Sequence, residues 1–256
     1  MKMTVYHGEP NGPSLTVLAA LFEKGLDAEL IHIDLARGQR HNLPFAQQPE
    51  VALSVEGEGP VVVVDGEAMT DSVFIACYFD ELSQDNPLRP SDSYARWEMM
   101  SWCRQLIERT APAAAHVGCS AYPPSCDPTT VARIGSVDLR ERWQGTVARI
   151  AGEGSAADEH LADCEAKIAQ AVAKIEARLA SSEWLMGGFS IADLESYAWL
   201  AGMVELVPSA FLDRPLTADW MKRVRARPAV AQAMSLARGP DPAHAWAPGP
   251  EINRWG

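Results

Sequence analysis

Apolar positions along the first eighty or so residues change period several times. MTVYH (3–7) reads as a strand. From about Ser14 to Glu23, Leu15, Leu18, Ala19 and Phe22 fall on one stripe at helical spacing, and Lys24-Gly25 closes that helix. Leu30 to Asp34 reads as a second strand, and 35–59 carries little pattern. Pro60 then opens the apolar run Val61–Val64, as a residue without a donor can at a strand's first position. Asp65-Gly66 is a hairpin turn, a short strand runs to Met69, and Ile75, Tyr78, Phe79 and Leu82 line one face of a helix. The order is βαβ followed by ββα. It predicts two parallel strands extended by an antiparallel hairpin, a mixed sheet.

Past residue 83 strand signals nearly vanish. QDNPLRPSD (84–92) is rich in turn residues and reads as a linker. Helical periodicity follows over Tyr94–Glu108, Val137–Arg149, Asp163–Ser181, Ile191–Val207 and Trp220–Arg225, with a break at Gly118–Pro128. The third of these carries Ile168, Val172, Ile175 and Leu179 as its stripe. The expected layout is an α/β domain over 1–83, an all-α domain over 93–236, and an irregular tail, 237–256, that drapes over a surface. Ligand clefts form at such boundaries.

Composition narrows the function. A net charge of −12 without a basic run argues against nucleic acid and anionic membranes. No apolar stretch approaches the roughly 18 residues of a membrane span, and the N-terminus lacks a signal peptide's apolar core. The expectation is a cytoplasmic protein. Its five cysteines contain no CxxC pair, which argues against a zinc centre and dithiol chemistry. Cys119 and Cys126 flank a Pro-rich loop.

Chemistry concentrates at Asp71-Ser72, a carboxylate and a hydroxyl at a helix start, where free N–H groups favour an anion. The plain alternative is helix capping. Further on, Ser190 and Asp193 form a capping-box variant, with Phe189 and Leu194 placed as a hydrophobic staple.

Pro60 heading the third strand, the Asp71-Ser72 helix start, Ser190-Ile-Ala-Asp193 after Gly187-Gly188-Phe189, and the ending Asp219-Trp220 with Arg227-Pro228 together resemble the glutathione S-transferases. Tyr6–Glu29, Arg40-His41, Pro60–Ser72 and Leu139–Trp143 are most similar to the bacterial β-aryl-etherases of that family. The resemblance implies a thioredoxin-like N-terminal domain, an α-helical C-terminal domain, glutathione as co-substrate and a homo- or heterodimer. It further implies that the Gly59–Pro60 bond is cis, with the Gly59 backbone pairing to the cysteinyl amide of glutathione. Asp71 and Ser72 would hold the γ-glutamyl group, and Arg40 and His41 the glycyl carboxylate. One departure stands out. Pro49 and Pro60 are separated by an insertion within EVALSVEGEG, and Gly59 stands where Val or Ile is usual.

A thiol with a pKa of roughly 8.5 must be stabilised as thiolate to attack at neutral pH. Ser14 could donate its hydroxyl at the start of the first helix, or could be only the N-cap. Asn11 is the rival donor, and Tyr6 a weaker one. For an aromatic acceptor substrate, the helical half offers Trp102, Cys103, Leu106, Ile107, Thr110, His116, Tyr122 and Trp143, each with ordinary helix packing as its alternative. The implied reaction is displacement of a phenolate from a β-aryl ether of a lignin-derived aromatic ketone. The alternatives are dehalogenation or isomerisation by the same thiol, or a non-catalytic glutathione-binding subunit.

Overall fold

A computed structural model describes residues 1–46, 48–52, 54, 56–123 and 155–248. Val137–Arg149, Cys126, Trp143 and the last residues of the tail lie outside them. The N-terminal half folds as β1 (Met3–His7), α1 (Gly12–Glu23), β2 (Glu29–His32), β3 (Val61–Val64), β4 (Glu67–Met69) and α2 (Ser72–Leu82). The sheet order is β2-β1-β3-β4. β1 runs parallel to β2, with Val5 opposite Leu30, and antiparallel to β3, with Val5 opposite Val62. The mixed sheet and the hairpin of the sequence reading are both present.

The helical half comprises α3 (Ser93–Gln105), a π-helical turn at Leu106–Thr110, α4 (Ala111–Ala121), α5 (Ser155–Leu179), α6 (Ile191–Leu200), α7 (Pro215–Arg225) and α8 (Pro228–Met234). No described helix is long and apolar enough to cross a membrane. Buried side chains of both halves belong to one apolar core, from Val5, Leu18 and Phe79 through Leu88 and Met99 to Ile168, Trp199 and Trp220.

The segment 84–92 is no loose linker. Leu88 is buried, its N–H donates to Asp80 Oδ1 at 2.8 Å, and its carbonyl accepts from Ile191 N at 2.9 Å. Asp80 also meets Lys24 Nζ at 2.9 Å and Arg89 Nε at 2.7 Å. A buried carboxylate between two cations and an amide keeps its charge compensated. Arg227, the residue before Pro228, forks onto Glu23 at the end of α1 (2.5 and 2.9 Å) and lies 3.6 Å over the Phe189 ring. The Arg-Pro step thus ties α8 to α1.

The start of α6 is organised by Asp193. Its carboxylate accepts from Ser190 N, Ser190 Oγ and Leu185 N at 3.0 Å each and from Trp220 Nε1 at 2.9 Å, and the capping box is formed. Phe189 packs edge-on against Trp184.

Candidate active site

The turn after β1 leads straight into the site. Asn11 N bonds back to Glu9 O at 2.7 Å, Gly12 takes φ 50°, and Pro13 sits in the first helical turn, where its missing N–H costs nothing. The helix therefore starts before Ser14, at Gly12, with Asn11 as N-cap. Ser14 is not the cap. It lies inside the first turn, is buried, and its Oγ accepts from Gly8 N at 3.0 Å. A serine hydroxyl accepts and donates at once, so this bond orients the oxygen and leaves its proton available to a ligand. Asn11 Nδ2 points to Ala245 O at 3.4 Å, and Tyr6 packs against Phe45.

Ser14 and Asn11 open onto a cavity of about 240 Å³ between the two halves. Glu9, His32, Glu56, Glu58, Trp199 and Trp246 share its lining. His32 Nε2 lies 3.2 Å from Glu9 Oε1, and the Glu9 carboxylate also accepts from Arg238 N at 3.0 Å.

The Asp71-Ser72 corner is assembled and occupied. Asp71 carries φ 68°, a left-handed value that a residue with a Cβ adopts at a cost and that marks functional corners. Its Oδ1 accepts from Ser54 Oγ at 2.8 Å and Glu56 N at 3.3 Å. The Glu56 carboxylate accepts from Ser72 N at 2.7 Å and meets Ser72 Oγ at 2.5 Å, while Glu195 Oε2 lies 2.9 Å from the same hydroxyl. One hydroxyl proton cannot serve two carboxylates at once, so the two acidic groups compete for it. Burial, then Glu195 and Asp71, push the Glu56 carboxyl well above the usual range, and burial raises Glu195 too.

His41 Nε2 meets Glu58 Oε1 at 2.6 Å, so this side chain also has an internal partner. Arg40 is buried and donates to Val51 O at 2.9 Å. It fastens the 49–52 turn and, like His41, Asp71 and Ser72, is not among the residues lining this cavity. A correction concerns Pro60. No peptide bond among the described residues is cis, so Gly59–Pro60 is trans. Gly59 N bonds to Gly57 O at 2.9 Å, and Glu58 N bonds to Pro248 O at 3.1 Å. The insertion routes the chain into Pro60 through this turn and ties it to the tail.

The acceptor residues expected on the helical half divide differently. Trp102 donates to Ser196 Oγ at 3.0 Å and lies beneath Lys174 Nζ. With Leu106, Thr110, Arg109 and Lys167 it borders a separate groove of about 320 Å³ between α3 and α5. Cys103 is a core side chain, and Ile107 packs against the core. The His116 and His160 rings meet at 4.3 Å, and Tyr122 stacks on His244 at 4.1 Å. Trp143 lies outside the described residues. Trp199 and Trp246 face Ser14's cavity. Trp246 comes from the tail. Its indole is buried over Gly118 and Gly202, where an added Cβ would approach within 2.2 and 2.9 Å, and Trp246 Nε1 donates to Ala243 O at 2.7 Å. A large aromatic in an otherwise Pro/Gly-rich tail was its only sequence signal. For Glu56 and Glu58 the signal was two acidic residues inside an apolar insertion.

Comparison with known proteins agrees with this geometry. Residues 1–81 match the glutathione S-transferase N-terminal domain and residues 145–228 its C-terminal domain. Protein LigF of Sphingobium sp. (strain NBRC 103272 / SYK-6) is 25% identical, covering 94% of this chain and 96% of its own. A glutathione S-transferase of Silene vulgaris is 22% identical over 91% and 97%. Among solved structures, the beta-etherase LigF of Sphingobium superposes with a TM-score of 0.76 at 24% identity, over 92% of this chain and 99% of that one. A Sulfitobacter glutathione transferase homologue with bound glutathione gives 0.64 at 19% identity, over 91% and 97%. The protein belongs to the glutathione S-transferase family, with glutathione as its co-substrate.

Proposed function

We propose that this chain uses glutathione to cleave a β-aryl ether of a lignin-derived aromatic ketone. The observation that carries the chemistry is the Ser14 hydroxyl, whose oxygen accepts from Gly8 N and which borders the cavity at the N-terminus of α1. Hydroxyl donation and the positive helix end both favour S⁻ over SH. The γ-glutamyl group belongs at Asp71-Ser72 and the glycyl carboxylate at His41. The thiolate sulfur attacks the carbon bearing the ether oxygen, next to the ketone. A carbon–sulfur bond forms, the carbon–oxygen bond breaks, and its electron pair leaves as phenolate. Trp199 and Trp246 offer aromatic faces for the acceptor. The likeness to LigF supports the ether as substrate.

A second reading, a non-catalytic glutathione-binding subunit, draws on the internal occupation of the Ser72 corner by Glu56. One assay separates the two. The purified chain and glutathione are mixed with a β-aryl-ether ketone and with a generic aryl halide, and released phenolate or halide is followed. Ether turnover with slow halide turnover supports the etherase reading. Faster halide turnover redirects it to dehalogenation. No turnover with retained glutathione binding leaves the subunit reading.

The active form is proposed to be a dimer with a second copy or a related chain. Phe74, Tyr94 and Trp97 are 58%, 70% and 60% exposed, and the Tyr94 and Trp97 rings sit 5.4 Å apart. Their helices, α2 and α3, touch through Cys77 and Met100. Exposed aromatic clusters of this kind mark interfaces. Light scattering of Phe74→Arg/Trp97→Arg is expected to show monomer where the native chain shows dimer. An unchanged mass would remove this face from the interface.

A further inference from the structure

The insertion before β3 ends in Glu56-Gly57-Glu58-Gly59, and both of its acidic side chains face ligand-binding groups. At the α2 start, Glu56 presents its carboxylate to Ser72 N and Oγ (2.7 and 2.5 Å) and its backbone N–H to Asp71 Oδ1 (3.3 Å). A γ-glutamyl group offers the same pair of functions, a carboxylate for Ser72 and a nitrogen donor for Asp71. Glu58 presents its carboxylate to His41 Nε2 at 2.6 Å, which is what a glycyl carboxylate would do. A tripeptide thiol with two terminal carboxylates therefore meets two partners already engaged by carboxylates of the chain itself.

We infer that Glu56 and Glu58 form a tethered occupant of the glutathione carboxylate subsites, and that they set the affinity for the thiol by competing with it. This inference rests on glutathione being the co-substrate of the cavity.

The occupant is built to yield. Glu56 is buried against Asp71, the N-cap of α2, against Ser72 of α2 and against Glu195 of α6, so it adds a carboxyl to a corner already holding two. Burial and those neighbours favour its protonated form, a weaker partner for Ser72 N than a carboxylate would be. Glu58 is 8% exposed, yet its Oε2 has no partner among the described residues. Both side chains thus hold their places at a cost. The backbone between them turns at Gly57, whose φ of 71° is open to glycine, and Gly59 ends the segment, so it can swing without a Cβ to obstruct it. The Glu58 N–H to Pro248 O bond fastens the segment to the tail, so its departure would also free the tail's edge of the cavity.

The test is calorimetric titration of the full chain with glutathione and, separately, with glutathione diethyl ester. The proteins are the native chain, Glu56→Ala, Glu58→Ala and the double variant, each checked for folding by thermal melting. Freeing Ser72 N, Ser72 Oγ and His41 Nε2 for the carboxylates of glutathione is expected to lower the glutathione Kd about tenfold in the double variant, with intermediate values in the singles. The ester, which lacks both carboxylates, should change less than about threefold, since a gain of that size is under 1 kcal/mol. An unchanged or raised glutathione Kd in a folded variant overturns the inference, as does an equal gain for the ester. Where Ala at 56 does not fold, Glu58→Ala alone carries the test: a glutathione Kd lower by about threefold is expected, and no change overturns the inference. Absence of heat from every protein with either thiol would sink the glutathione reading itself and this inference with it.

Discussion

Ser14→Ala is expected to lower kcat for glutathione-dependent ether cleavage by about a hundredfold or more, the usual cost of removing one donor aimed at developing or resident negative charge. Binding should suffer far less, because both carboxylate subsites are untouched. The reason is geometric. The Ser14 oxygen is fixed by Gly8 N inside the first turn of α1, so its proton cannot be replaced by a sliding neighbour. Asn11→Ala should cost less, since the Asn11 amide is turned toward Ala245 O. The decisive measurement is the thiolate's ultraviolet absorbance as a function of pH in the complex. Native protein should show bound thiolate at neutral pH and Ser14→Ala should show thiol until higher pH. Equal titration curves, or a larger loss in Asn11→Ala, would transfer the role to Asn11.

The largest stability effect is expected at Asp193→Ala. The substitution orphans Leu185 N, Ser190 N and Trp220 Nε1 in a fully buried setting. Each abandoned donor costs about 1–3 kcal/mol, so a loss of roughly 4 kcal/mol or more is expected, a fall in Tm of about 10 °C for a chain of this size. Chemical denaturation checks it, and a loss under about 1 kcal/mol would mean that water replaces the carboxylate. The same residue gives a pH signature. Burial raises the Asp193 carboxyl from 3.8 to about 6. The folded chain then binds this proton more tightly than the unfolded chain. Its contribution is complete below the unfolded pKa and is lost as pH rises through about 6. Stability measured from pH 4 upward should therefore decline across that window in the native chain, and decline less in Asp193→Asn.

The strands, the Asp65-Gly66 hairpin and the capping box at Ser190 were legible because each depends on local chemistry. Alternation, a turn dipeptide and an N-cap pair leave marks within a few residues. What the sequence concealed is long-range. α1 begins at Gly12 because Pro13 is harmless in a first turn, yet Ser14 looks like the cap from spacing alone. Leu88 turns an apparent linker into a fixed strut through partners far off in sequence, Asp80 and Ile191. The acceptor residues were sought on the face of a regular helix from Tyr94. The π-turn at Leu106–Thr110 adds a residue to one turn and rotates everything beyond it, with Pro112 unable to donate just after. Two of the residues on the cavity, Glu56 and Trp246, come from an insertion and a tail, which no periodicity describes.

Trp246 belongs to a stretch that follows both matched family domains, the second of which ends at residue 228. The wall proposed for the acceptor is thus supplied by a tail residue that is also packed into the apolar core. Changes at that position would reshape the cavity and disturb packing together. Relatives sorted by their two domains alone would be grouped together even where their chambers differ, and preference among acceptors should follow the sequence of the terminal strap more closely than overall identity.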